Sequence, residues 1–208
     1  AEMVKKESDK ERIVCVIGVT PGKIGDILCE TFGNTGSSII PITRSDVDFS
    51  IDGWQQNLSD KIPNTDNHLV IILNIFDHTP GRGFVQEQIF DYLWSKYKLF
   101  NNVQIVVIGS MAHYHDLPGI PKEYTDSKRN LRNKVVGTGR LGTYTCKLLF
   151  LEPGVVESLF IDNPPAWQCM YFKTQEFADR ILMETNANSR FSFVMVNGSH
   201  LYNPINNV

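Results

Sequence analysis

The chain has 208 residues, enough for one domain with a sizeable core, and its 42% hydrophobic and 21% charged residues are those of a globular protein. The 20 basic residues against 23 acidic leave a net charge of −3, which removes any electrostatic case for nucleic acid or an anionic membrane as partner. No apolar run approaches the ~18 residues of a bilayer-spanning helix. The opening "AEMVKKESDKER" lacks the apolar stretch of a secretory signal. A flexible segment over 1–11 is therefore expected ahead of one domain over 12–208. Cys15, Cys29, Cys146 and Cys169 form no C-x-x-C pair, so they are read as reduced structural thiols of a cytoplasmic protein.

Short apolar runs then alternate with helical stretches. "RIVCVIGV" (12–19) has strand length and ends in glycine; "KIGDILCETFGNTG" carries Ile24, Ile27, Leu28 and Phe32 as a helical stripe closed by Gly33. "SSIIPITRS" predicts a second strand, and a helix begins near "DGWQQNL". "HLVIILNIF" (68–76) is the most apolar strand. In "FVQEQIFDYLWSKYKLF", Phe90, Leu93, Trp94 and Tyr97 recur at helical spacing. "VQIVVIGS" (103–110) reads as strand, 123–136 as helix, "TYTCKLLFLEPG" as strand and turn, "TQEFADRILMETN" as helix and "RFSFVMVNG" as a closing strand. Strands apolar on both faces and separated by helices imply an α/β fold: a doubly wound, mostly parallel sheet in a Rossmann-like α/β/α sandwich, as a single domain. Ligands of such folds bind beyond the carboxyl ends of the strands.

After the first run comes "GVTPGKIG", with Gly18, Thr20, Gly22, Ile24 and Gly25 leading into a helix. Glycines let the backbone approach a pyrophosphate, and a helix N-terminus offers free N–H groups. A plain strand-to-helix turn would use the same residues. After the second run, Thr43, Arg44 and Ser45 suit a 2′-phosphate, or form a solvated loop. Asp46 and Asp48 are adenine acceptors or turn residues. Tyr124 and Lys128 in "YTDSK" share one helical face at i,i+4, either as a proton-transfer pair or as a solvated face.

With Ser110 at a strand end and 14 residues before Tyr124, the set resembles the short-chain dehydrogenase/reductase family from about residue 12 to 198. The resemblance rests on "GVTPGKIG", Ser110, "YTDSK" and "LEPGVVES", where Pro153, Gly154, Val156 and Ser158 fit the family's Pro-Gly-x-Val-x-Thr with Ser for Thr. It implies an NAD(P)H-dependent oxidoreductase acting on a small carbonyl or alcohol. Tyr124 would be general acid/base, Lys128 would lower its pKa and hold the nicotinamide ribose, and Ser110 would orient the substrate oxygen. Gly18, Thr20, Gly22, Ile24, Gly25, Arg44, Ser45, Asn74, Lys128, Pro153, Gly154 and Val156 would bind cofactor, with NADPH/NADP+ expected ahead of NADH. His113, Tyr114 and Trp167 would face substrate, although an exposed loop serves equally well for His113 and His115. No metal is implied.

The sequence also departs from that pattern. Ile17 stands for the family's Thr, Gly25 comes one residue late, "LNIF" replaces Asn-Asn-Ala-Gly, and Gln86 and Gln88 are the only amides near the place of the family's relay asparagine. A non-catalytic dinucleotide sensor or interaction protein on the same fold is the alternative, and a nucleotide-sugar or pteridine substrate a further one. A homodimer through the helices flanking the Ser–Tyr loop is open, because the basic "SKRNLRNKV" would repel its own copy.

Overall fold

The computed structural model describes residues 11–115, 118–159 and 165–204. The flexible segment expected over 1–11 lies, Glu11 apart, outside them. In chain order the elements are β1 (Arg12–Ile17), α1 (Ile24–Gly33), β2 (Ser38–Ile42), α2 (Trp54–Lys61), β3 (His68–Leu73), α3 (Val85–Tyr97), β4 (Val103–Ile108), α4 (Lys122–Leu141), β5 (Lys147–Pro153), β6 (Val155–Val156), β7 (Cys169–Phe172), α5 (Thr174–Thr185), β8 (Phe191–Val196) and β9 (His200–Tyr202). Six strands form one sheet in the order β2-β1-β3-β4-β5-β8. Every neighbouring pair is parallel.

Period-two alternation decides which helices cover which face. Cys15, Ile17, Ile71, Leu73, Ile105, Val107, Leu148 and Phe150 join Trp54, Leu58, Phe90, Leu93, Leu131 and Val135 from α2, α3 and α4. The intervening Val14, Val16, Val70, Ile72, Val106, Ile108, Leu149 and Leu151 join Leu28, Phe32, Phe177 and Ile181 from α1 and α5. A sheet covered on both sides needs strands that are apolar at every position, which is why those runs show no polar alternation. All four cysteines are free thiols, and burial pushes Cys15 up to about 12, which suits packing and not nucleophilic chemistry.

The chain winds outward one way from β1 to β2 and the other way from β3 to β8, so the carboxyl ends of β1 and β3 flank the topological switch point. Two features depart from the expectations. α4 continues to Leu141, past 136 and through Gly137 and Gly139. A Cβ at Gly139 would lie 2.4 Å from the Phe191 ring, and the Tyr144 hydroxyl donates to the Gly139 carbonyl at 2.7 Å. The glycine is there for aromatic packing, not to stop the helix. Second, the stretch between Ser158 and α5, where no strand was expected, contains β7, which pairs with β6 in parallel and β9 antiparallel in a second small sheet. Among the described residues no helix is long and apolar enough to cross a membrane.

Candidate active site

The glycine turn follows β1 at the switch point. Gly18 takes φ 96° and Gly22 takes φ 73°, the left-handed region that favours glycine. A Cβ at Gly18 would meet the Asn74 carbonyl oxygen at 1.7 Å, and one at Gly25 would meet the Gly18 oxygen at 2.2 Å. These two glycines are thus demanded by the protein's own backbone. Gly22 differs: nothing lies within 4 Å of its would-be Cβ, so this residue borders open space. The turn is closed by Lys23 N–H donating to the Thr20 carbonyl at 3.0 Å, with Thr20 exposed and Ile24 half-buried beside it. The Gly22 N–H donates to the Asp26 carboxylate at 2.9 Å. An acidic group in the first turn complements the α1 dipole, but it also takes an N–H suited to a phosphate.

At the end of β2 the exposed Arg44 guanidinium donates to the Phe76 carbonyl at 3.0 Å, bridging the carboxyl ends of β2 and β3. Ser45 is exposed beside it. Asp46 accepts from the Thr43 N–H and hydroxyl, each at 2.8 Å, and these bonds hold its carboxyl below the usual range. Asp48 accepts from Ser50 in the same manner. Both acids are therefore turn residues. Asn74 is half-buried, its N–H given to the Ile17 carbonyl at 2.9 Å.

Ser110, Tyr124 and Lys128 come together beyond β4. Ser110 is extended and its Oγ accepts the Ala112 N–H at 3.1 Å, capping a 3-10 turn over Met111–Tyr114. Burial holds the Tyr124 phenol pKa above its ordinary value, and the neighbouring Ser110 side chain draws it down by less. Lys128, one turn along α4, has its ammonium 5.4 Å from the centroid of the Tyr124 ring. The Tyr124 pKa is thus raised, where the resemblance implied a depression, and burial is the cause.

Gln86, left unassigned in the sequence, is what holds Lys128. Its Oε1 accepts from Nζ at 2.7 Å. Its Nε2 donates to the Leu73 and Ile108 carbonyls at 3.3 and 2.8 Å, so the ends of β3 and β4 set the amide's orientation. A polar residue near the start of an otherwise apolar helical stripe was the available signal. Phe76 covers the pair: its ring meets Tyr124 edge-on at 4.8 Å and the Lys128 ammonium at 5.7 Å.

Lys128 is 6% exposed, and burial pushes its ammonium down to about 8. Below about 8 the folded and unfolded chains both carry the proton, and the fold bears the full cost of a buried charge. Between about 8 and the 10.5 of free lysine only the unfolded chain holds it, so stability rises with pH. Measured against Lys128→Met by chemical denaturation, the wild type should gain about 3 kcal/mol from pH 7 to pH 10.5. A flat difference would show that the ammonium is well solvated.

The remaining expected site residues are spread around this centre. Pro153 and Val156 are buried, and the Gly154 N–H donates to the Val196 carbonyl at 2.9 Å. Tyr114 is exposed and Trp167 half-buried ahead of β7. His113 does not lie in an exposed loop: it is 6% exposed, and its Nε2 lies 2.8 Å from Glu152 Oε1. His115 is exposed, as expected. The charge of α4 is also met within the chain, with Lys134 reaching Glu87 at 3.1 Å and Asp91 at 2.5 Å. Self-repulsion is therefore weaker than the basic sequence implied. Among the described residues no group of three or more side chains could hold a metal ion.

No protein-family model matches the sequence, and neither does any curated protein. Solved structures do match. A short-chain dehydrogenase/reductase from Vibrio parahaemolyticus is similar at TM-score 0.67 and 15% identity, over 89% of this chain and 100% of that one. The fold is the short-chain dehydrogenase/reductase fold. Others sharing it are the 3-alpha-hydroxysteroid dehydrogenase from Pseudomonas sp. B-0831 complexed with NADH (TM-score 0.59, 17% identity, 88% and 94% of the two chains) and the UDP-N-acetylglucosamine 4-epimerase from Bacillus cereus (0.65, 13%, 94% and 82%).

Proposed function

We propose that the chain is a divergent short-chain dehydrogenase/reductase, an NAD(P)H-dependent oxidoreductase that reduces a small carbonyl or oxidises the corresponding alcohol. The observation that carries this reading is the convergence of Ser110, Tyr124 and Lys128 beyond β4, beside the switch-point crevice. A bound nicotinamide dinucleotide supplies or accepts the hydride. Open space at Gly22 and the α1 N-terminus fit its pyrophosphate, with Thr20, Ile24 and Asn74 along the crevice and Arg44 at the 2′-hydroxyl or 2′-phosphate. Pro153, Gly154 and Val156 would border its nicotinamide end.

The Tyr124 phenol gives its proton to the substrate oxygen as charge develops there, and takes it back in the oxidative direction. Its pKa, held up by burial, keeps the phenol protonated near neutrality, so that it has a proton to give. Ser110 Oγ accepts from Ala112, which leaves the hydroxyl proton free to be donated to the same oxygen. Lys128, still charged below about 8, supplies a positive charge one turn away and, freed from Phe76, a donor for a ribose hydroxyl.

A second reading, a non-catalytic dinucleotide sensor, is favoured by Phe76 over Tyr124 and Lys128 and by Asp26 on the Gly22 N–H. Calorimetric titration with NADPH and separately NADH, followed by a carbonyl panel, separates the two. The enzyme reading expects tighter NADPH binding and turnover. Arg44→Ala should remove the preference, roughly a tenfold or greater loss of NADPH affinity from one charge-assisted phosphate contact. Binding without turnover selects the sensor; no binding of either dinucleotide sinks both.

A further inference from the structure

A buried pair of titratable side chains stands behind Ser110, and nothing in the chemistry above uses it. Glu152 is 0% exposed near the end of β5, and it faces His113, which is 6% exposed, across 2.8 Å. The approach is opened by Gly109, where a Cβ would meet the Phe150 ring at 2.7 Å and Glu152 Cγ at 3.3 Å. The Gly109 N–H donates to the Leu151 carbonyl at 2.7 Å, which places the last residues of β4 and β5 side by side. Glu152 thus passes beneath the strand end that carries Ser110 and reaches the first turn after it.

That turn is short and fastened at several points. Ala112 N–H donates to Ser110 Oγ at 3.1 Å, and Arg129 on α4 donates to the His113 carbonyl at 3.0 Å. The His113 and Tyr114 rings are 4.0 Å apart, and the Tyr114 hydroxyl accepts from Arg132 Nε at 3.0 Å. The same hydroxyl lies near the Glu152 carboxylate, yet Glu152 Oε2 has no hydrogen-bond partner. An imidazole and a carboxylate with an unsatisfied oxygen are a costly way to hold a loop; an apolar pair of similar volume would do so at lower cost. What the pair adds is a directional bond from β5 to the turn that orients Ser110 Oγ.

We propose that Glu152 and His113 are positioning residues for Ser110, setting where its hydroxyl proton points by fixing the Met111–Tyr114 turn. This rests on the reading of Ser110 as the donor to the substrate oxygen. Releasing the turn moves the Ala112 N–H that Ser110 Oγ accepts, and the hydroxyl loses its single orientation. A small misplacement of such a donor costs turnover more than binding.

The test is a double-mutant cycle on the full chain with the best carbonyl from the panel. His113→Ala should lower kcat about 10- to 100-fold with dinucleotide affinity unchanged. His113→Gln, which keeps a hydrogen-bonding nitrogen toward Glu152, should recover most of the loss. In a Ser110→Ala background, His113→Ala should cost nothing further. Equal losses in both backgrounds overturn the proposal, because His113 would then act through the fold and not through Ser110. If His113→Ala does not fold, Glu152→Gln and His113→Gln take its place in the same cycle. If the wild type turns over no carbonyl, the enzymatic reading fails on its own. The positioning is then read from the 13Cζ resonance of Tyr124, assigned with Tyr124→Phe. A shift in His113→Ala toward that of Ser110→Ala upholds the positioning, and an unmoved resonance ends it.

Discussion

Tyr124→Phe should lower kcat by about 10²–10⁴-fold while leaving dinucleotide affinity and melting temperature nearly unchanged. The substitution removes one oxygen from a half-buried ring whose edge-on contact with Phe76, centroids 4.8 Å apart, is kept. Ser110 Oγ keeps its bond from the Ala112 N–H in the variant, so the fold should lose little. The loss in rate should be larger because, on the proposed reading, this oxygen carries the proton to a substrate held at Ser110. The comparison is steady-state kinetics beside calorimetric cofactor titration on both proteins. Unchanged turnover would remove Tyr124 from the chemistry and with it the reading of the whole Ser110–Tyr124–Lys128 set. A fall in cofactor affinity equal to the fall in kcat would mean that the phenol binds and does not catalyse.

Gly18→Ala should destabilise the protein by about 4 kcal/mol or more, enough to lower the melting temperature by roughly 8–16 °C. Its Cβ would stand 1.7 Å from the Asn74 carbonyl oxygen, and the backbone there has φ 96°. Two costs coincide: a left-handed conformation for a residue with a side chain, and overlap with the end of a neighbouring strand that cannot retreat without opening the switch point. Gly22→Ala is the control. At φ 73° it carries the first cost but not the second, because its Cβ would enter open space. It should lose only about 1–2 kcal/mol. Its larger effect should be on the dinucleotide. Equal destabilisation of the two variants would show that the turn relaxes freely and that β1 and β3 are not locked together through Gly18.

These outcomes bear on how a glycine turn is read. Three glycines before a helix were all expected to serve a pyrophosphate, yet two of the three are needed before any ligand is considered. Gly18 lets β3 close on β1, and Gly25 lets α1 start against Gly18. Spacing along the chain does not distinguish a glycine that admits a ligand from one that admits the protein's own backbone. The same ambiguity covers Arg44, whose guanidinium now spans from β2 to the Phe76 carbonyl. A 2′-phosphate would have to take it from that carbonyl, and doing so would loosen the segment whose ring covers Tyr124 and Lys128. The NADPH titration therefore reports on Phe76 as well as on Arg44.

By itself the sequence determined the fold class and the six strands of the sheet, because strands buried on both faces must be apolar throughout and helices between them must show a stripe. The i,i+4 spacing also placed Tyr124 and Lys128 on one helical face, while Ser110 was joined to them by the family resemblance. The tertiary structure alone decided the rest. Gln86 becomes the partner of Lys128 only where β3 and β4 end beside α3. His113 becomes buried only where the turn after β4 packs against Glu152 of β5. Phe76 covers the Tyr124–Lys128 pair only once the loop after β3 is folded onto α4. Each is a contact between residues 39 to 52 positions apart or a consequence of one, and no local period or spacing encodes it. Chain proximity specifies elements; which side chain fills the space between them depends on packing, and packing exists only after the elements have met.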